Sequence, residues 1–472
     1  GSYLRAGMGG LVLCAKPEEV ELWRTYCKEH GREDSIIVFD EKRGFNFIAY
    51  EFARQRGVEG ASAVVDCMFR VLEAADQASG QQKRTTDEFW GKANRQLLSY
   101  TIPAIYAAYG NVTISDIINF VSSAKTSKKI AVTQEEKKAE AKWDQTSYAA
   151  QTFRQLLNRP VHPVAPDMVQ AIMNYWMEEF PATPEKTIGN MLITLSTTLD
   201  RFKHGRLRKC FCDDTNIVPE MTFHGGIIIM NMPVLTWNDD GIIGQQLFKF
   251  MWQRAVEARN GLEKQHRVRP VFLWADEAQY FVNVKDESFL STCRSSKACV
   301  VFLTQTLPTY YSMLGKDRSD AADGIVGKFN TQVFHQNACN RTNTFASQLI
   351  GRGLQVRNTR GKTRGDTVTS GRTDGVTTGS GDSLGGQRWS LTDAIWGGSN
   401  YGRTRSDGQS SATTVNQGRT ETETESATDQ MEIWREPNYF AGSLKSGGKK
   451  HDKKVTAIWF KVGGNFKMAN GS

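Results

Sequence analysis

An apolar run, Val271-Phe-Leu-Trp-Ala275, ends abruptly in two carboxylates, Asp276 and Glu277. Apolar residues at every position, rather than at alternate ones, predict a strand buried on both faces, and such strands occur in parallel sheets covered by helices. The rest of the chain supplies the neighbours this strand needs. Gly10–Lys16 and Ser35–Asp40 read as buried strands, joined by a helix that Pro17 opens and Gly31 closes. Strand, helix and strand in so short a span form a parallel crossover unit. Gly225–Pro233 and Ala298–Thr304 add further strands, Gly244–Asn260 is helical by pattern, and Thr331–His335 and Val455–Phe460 are expected to complete the sheet. The predicted class is α/β, doubly wound.

Between the second and third strands the texture changes. Apolar residues recur at helical spacing through Trp90, Leu97, Leu98, Ile102 and Ile105, and again through Val169, Ile172, Met173 and Trp176. The charged stretch 125–142 is expected to be a solvated loop or helix face. The chain therefore divides as follows. Residues 1–57 begin the α/β core, 58–198 form an all-α inserted domain, and 199–354 continue the core. Residues 355–430, rich in Thr, Ser and Gly, are expected to be a flexible loop with a docking island at Trp389–Trp396. Residues 431–472 return a C-terminal strand to the core.

Length and composition exclude several classes. A chain of 472 residues with 39% hydrophobic and 23% charged residues can bury a large core and is not disordered. Its apolar runs, such as 226–230, fall far short of the ~20 residues a membrane helix needs, so the chain is expected to be soluble. No signal-peptide layout opens it. Eight cysteines without a CxxC pair read as reduced thiols. Cys210 and Cys212, with His204 and His224 nearby, have the wrong spacing for a metal site. A net charge of +8 permits a nucleic-acid partner without demanding one.

Two carboxylates at a strand tip suit nucleotide hydrolysis. The first can hold Mg²⁺ through its water shell, and the second can polarise the attacking water. Read alone, the pattern is equally a strand that ends in an acidic turn. The adjacent strand ends in Thr304-Gln305, where an amide could sense a γ-phosphate. Arg294, in the loop before that strand, could reach a neighbouring subunit's nucleotide.

These segments together resemble a family. VFLWADEAQ, TCRSSKACVVFLTQ, the opening GGLVLCAKPEE, FDEKRGFNF at 39–47 and HGGIIIMNMP at 224–233 are similar to the TraG/TraD-type coupling proteins of conjugation and type IV secretion. These belong to the FtsK/HerA group of ring-shaped P-loop ATPases. The resemblance implies a RecA-like P-loop NTPase core sheet with an inserted all-α domain, and ATP and Mg as cofactors. It makes Asp276 and Glu277 the Walker B pair, with Asp276 binding Mg through water. It makes Gln305 the motif-three glutamine beside Thr304 in the nucleotide site, and Arg294 the arginine acting in trans.

The resemblance has two departures. A phosphate loop, GxxxxGK[ST], is required for such chemistry, and none is present. Gly361-Lys362-Thr363 is the nearest string, with Val356 where the first glycine should stand. The loop is expected upstream of the first strand, and the chain without it is expected to hydrolyse little ATP. The second departure is Ala15, where relatives often carry Asp, which leaves the role of Lys16 open.

The function implied is an ATP-driven DNA translocase that delivers single- or double-stranded DNA, with or without attached protein, to a type IV secretion channel. It would act as a homo-hexamer at the cytoplasmic face of the bacterial inner membrane, through a membrane segment outside this chain. Relaxosome or effector proteins would dock on the all-α domain. Arg201, Lys203, Arg206, Arg208 and Lys209 place five basic residues in nine and could contact DNA, as could the cluster Lys445–Lys454. Exposed charge for solubility explains either cluster equally well. The alternatives are a non-catalytic recruitment platform, a protein-only secretion ATPase and a chromosome-pumping translocase.

Overall fold

A computed structural model describes residues 1–55, 57–78, 85–126, 134–315, 319–366 and 419–463. The chain forms two compact units, Gly1–Asn330 and Thr331–Ser472.

The first unit is built on a five-stranded, all-parallel sheet in the order β2-β3-β1-β4-β5. The strands are β1 (Gly9–Leu13), β2 (Ile36–Phe39), β3 (Ile227–Met230), β4 (Val271–Ala275) and β5 (Ala298–Phe302). Every residue of β1 and β3 is buried, as continuous apolar runs require. Trp23 of the first long helix, Glu19–Glu29, stacks on Phe272 with ring centres 5.7 Å apart. Elsewhere in the core, Phe39 meets Phe248 edge to face and Phe211 at a tilt. The paired glycines of β1 are a packing need. A Cβ on Gly9 would lie 2.0 Å from the Thr222 carbonyl oxygen, and one on Gly10 would lie 2.5 Å from the Phe272 ring.

Between β2 and β3 every regular element among the described residues is a helix, from Phe47–Arg54 to Gly205–Phe211 and on to Pro219–His224, with no strand among them. The α/β core with an all-α insertion is thus the observed fold. Within the insertion, Trp176 is fully buried against Phe120 and Phe180. Trp90's side chain lies outside the described residues. Part of the charged stretch joins the helix Gln134–Thr146. No helix among the described residues is long and apolar enough to cross a membrane.

The second unit corrects three expectations. Among the described residues, Thr331–His335 and Val455–Phe460 do not extend the parallel sheet, and 431–463 returns no strand to it. Instead β6 (Thr331–Phe334) and β9 (Ile458–Lys461) pair with each other, antiparallel. Both strands alternate between exposed and half-buried residues, a pattern that suits a sheet solvated on one face rather than a strand covered on both.

The third correction concerns 355–430. Arg352–Asp366 (β7) and Arg419–Ile433 (β8) form a long antiparallel ribbon. The run Thr-Glu-Thr-Glu-Thr-Glu-Ser has a period of two, as a strand does, and Thr favours strands. The register sets Arg360 opposite Glu425, Lys362 opposite Glu423, Arg364 opposite Glu421 and Asp366 opposite Arg419. Gly361-Lys362-Thr363 therefore lies within a strand. Residues 367–418, with the Trp389–Trp396 island, lie outside the described residues.

Candidate nucleotide site

The parallel register places Leu13 beside Ala275, and Ala275 beside Phe302. Whatever follows these strands converges at one end of the sheet, where open α/β sheets bind ligands. After β4, Glu277 turns the chain with φ 47° and ψ 49°. A left-handed conformation is strained for a residue with a side chain and is maintained only where surroundings impose it. Here the Glu277 amide donates to Asp276 Oδ1 at 3.0 Å. The Ala278 amide donates to the Leu303 carbonyl, and the Leu303 amide to that of Ala275, so the tips of β4 and β5 are stitched together.

The turn aims the Glu277 carboxylate into a ring of donors. Oε1 accepts from Lys16 Nζ at 3.2 Å and Gln305 Nε2 at 3.0 Å, and Oε2 accepts from Gln279 Nε2 at 2.9 Å. Burial alone would push this carboxyl up. The bonds from Gln279, Gln305 and Lys16 outweigh burial and hold it below the usual glutamate range. Lys16 is shifted the other way, upward, chiefly by its bond to Glu277. Its ammonium also lies 3.9 Å from Asp276 Oδ2, so one cation spans both carboxylates. Asp276 keeps 37% of its side chain exposed, against 11% for Glu277. A half-exposed carboxylate suits a hard, partly hydrated ion. Asp276 is thus the residue able to hold Mg²⁺ through water.

Thr304 contributes indirectly. Its hydroxyl donates to Gln279 Oε1 at 3.0 Å and is also bonded to the Thr309 hydroxyl. It fixes the amide that holds Glu277. Lys16 is fixed by Glu19, whose Oε1 accepts the Ala15 and Lys16 amides at 3.0 and 2.8 Å. Burial, against those two bonds, pushes the Glu19 carboxyl up to about 7. Gln245 brackets the end of β1 by bonding both the amide and the carbonyl of Cys14.

The structure therefore brings Asp276, Glu277, Thr304 and Gln305 together and adds Lys16, Gln279 and Glu19. Gln279 and Glu19 carried no recognisable sequence signal, because their roles depend on the turn at Glu277 and the loop at Ala15. Arg294 stands elsewhere. It is exposed in the turn before β5, at the opposite end of the strands, roughly 16 Å away at ~3.3 Å per strand residue.

The five basic residues at 201–209 are all engaged. Arg201 pairs with Asp239 and Asp240, Lys203 with Asp200, Arg206 and Lys209 with Glu41, and Arg208 with Asp213. As many carboxylates as cations share this surface. Cys210 and Cys212 bond carbonyl oxygens, and no metal-binding group of His, Cys, Asp and Glu occurs among the described residues.

Fold and site together define an α/β core with two carboxylates at the tip of a central parallel strand. Residues 270–384 match the family model described as the TraM recognition site of TraD and TraG. This segment holds Asp276, Glu277, Arg294 and Gln305. Among solved structures it is similar to the bacterial conjugative coupling protein TrwBdeltaN70 in its unbound form. The identity there is 12%, with 93% of this chain and 81% of that one covered and a TM-score of 0.43. TrwB in complex with the ATP analogue ADPNP gives 14%, 73%, 75% and 0.41, and TrwB with ADP and Mg²⁺ gives 14%, 74%, 76% and 0.40. No curated protein sequence matches.

Proposed function

We propose that this chain is the motor portion of a conjugative coupling protein, using ATP hydrolysis to move DNA toward a type IV secretion channel. The observation that supports this best is the Glu277 carboxylate, kept charged by three donors in a strained turn beside half-exposed Asp276. A charged, oriented carboxylate is what a water-polarising base requires. In this reading Glu277 orients the attacking water, and Gln305 reports on the γ-phosphate. Asp276 would hold Mg²⁺ through water, and the ion, when bound, supplies neutralising charge at the phosphate oxygens.

Arg294 cannot serve the site of its own chain from the far end of the sheet. It is assigned to a neighbouring subunit's nucleotide, which implies a homo-hexameric ring. Such arginines contribute about 10³–10⁵ in rate where they act. The segment 270–384 supports a relaxosome protein as partner, and the all-α insertion is the proposed platform for further protein substrates. The location proposed is the cytoplasmic face of the bacterial inner membrane. For DNA contact, the paired cluster at 201–209 is the weaker candidate. Lys445, Lys449, Lys450, Lys453 and Lys454 have no carboxylate partner among the described residues.

The test is DNA-stimulated ATPase activity of the chain extended upstream through a phosphate loop, beside Glu277→Gln. Activity that rises with DNA and falls about 10²–10⁴-fold in the variant supports the motor. A folded, extended protein without activity would favour the recruitment platform, in which both Glu277 oxygens stay engaged as they are here.

A further inference from the structure

Four helices meet where the insertion joins the core: Gly57–Ala78, Thr85–Tyr109, Asp239–Ala258 and Lys285–Thr292. Between them lies a cleft of about 340 Å³, within the size range of ligand pockets. Four cations line it, Arg70, Arg95, Arg254 and Lys285, against two carboxylates, Asp66 and Glu257.

The arginines are held in place. Arg70 and Arg95 stand over the Phe69 ring at 5.4 and 5.3 Å, and Arg70 and Arg254 each stand 5.7 Å from the centre of Phe250. Each also has one carboxylate partner, Glu73, Asp66 and Glu51 respectively. Arg254 also reaches the Ala63 carbonyl and the Cys67 sulfur at 3.5 and 4.0 Å. A guanidinium has five donors in a rigid fork, so the single carboxylates at Arg70 and Arg95 leave most of theirs unused. Arg70 Nε is buried without any partner. Lys285 is exposed and has no ion-pair partner among the described residues.

We propose that this cleft binds an acidic peptide segment of a partner protein, its carboxylates entering opposite Arg70, Arg254 and Lys285. Planar forks suit bidentate recognition of carboxylates. Two observations favour peptide over nucleic acid. The Phe69 and Phe250 faces are already covered by guanidinium groups, which leaves them poorly placed to stack a base. Asp66 and Glu257 on the walls would oppose a continuous phosphodiester chain but can sit between spaced carboxylates. Lys285–Thr292, one wall, also falls within the segment 270–384. The proposal rests on the partner-binding part of the function proposed above and names its chemistry.

The experiment is fluorescence anisotropy of a labelled peptide of eight glutamates with the full chain, without nucleotide. Wild type should bind in a salt-dependent way. Lys285→Glu and Arg254→Gln should each weaken binding about tenfold or more. Lys186→Glu, the same charge change on an exposed site of another helix, should stay within about twofold of wild type. Lys285 is exposed, so its variant keeps the packing even where Arg254→Gln disturbs it. Absence of wild-type binding, or equal loss in Lys186→Glu, would overturn the proposal. Displacement of the peptide by oligothymidylate at equal charge would assign the cleft to single-stranded DNA and would also overturn it. Because no nucleotide is present, failure here leaves the hydrolysis reading standing, and an inactive motor leaves this result readable.

Discussion

Lys16 Nζ lies 3.2 Å from Glu277 Oε1, joining two residues 261 positions apart. The contact exists because β1 and β4 are parallel neighbours in register, so the loop after Leu13 and the turn after Ala275 share one end of the sheet. It answers the question that Ala15 raised. Lys16 contacts the two carboxylates that follow β4.

Lys16→Met should therefore move the acid limb of ATP hydrolysis to higher pH. The bonds around Glu277 hold its carboxyl low, and removing one donor lets burial act with less opposition, so the proton binds at higher pH. The measurement is a pH–rate profile of the extended protein. An acid limb that stays where it was would show that Lys16 does not tune this carboxylate.

Glu19 gives the opposite sign. Its carboxyl is raised from 4.5 to about 7, chiefly by burial, and Oε2 has no partner. A raised acid contributes stability that is complete below the unfolded value and is lost as pH rises through the folded value. Wild type should therefore lose up to about 3 kcal/mol between roughly pH 4.5 and 7, at ~1.4 kcal/mol per unit. Glu19→Gln keeps an acceptor for the Ala15 and Lys16 amides and cannot ionise. Urea midpoints across that range should fall more, or rise less, in wild type than in the variant. Parallel slopes would count against the buried carboxyl.

Lys249 and Asp286 form a fully buried pair at 2.6 Å, shared with Gln253 and the Phe281 carbonyl. The pair ties the helix Asp239–Ala258 to the segment just beyond the Glu277 turn. Asp286→Ala would leave a buried ammonium without its counter-ion, at a cost of about 3–5 kcal/mol. The double variant Lys249→Met, Asp286→Leu should recover most of that loss. Denaturant unfolding of the three proteins decides it, and a double variant no better than the single would show that packing, not charge, is at stake.

The five core strands were legible because burial on both faces leaves a continuous apolar run, and the carboxylates at β4's tip marked the end of one. Periodicity also exposed the helical insertion. Gln279 was not legible, since an i+2 residue reaches back to Glu277 only when the intervening turn is left-handed. Arg201, Arg206 and Lys209 looked like part of a basic patch because their partners, Glu41, Asp239 and Asp240, are distant in sequence. Val333 and Trp459 made β6 and β9 look like core strands, yet both are about half exposed or more, at 48% and 63%.

The ribbon of β7 and β8 was hidden because its Thr-, Ser- and Gly-rich composition resembles a loop's, while only the period of two in its Thr-Glu run marks a strand. Its register makes a sharp test. Arg360 and Glu425 occupy directly opposed positions, where opposite charges favour pairing and like charges oppose it by about 0.2–1 kcal/mol. Arg360→Glu should weaken the ribbon, Glu425→Arg should do the same, and the two together should restore it. Amide hydrogen exchange at 355–366 and 419–430 reads the effect, which should shrink in high salt. If the swapped pair exchanges as fast as either single variant, the two strands do not meet in this register.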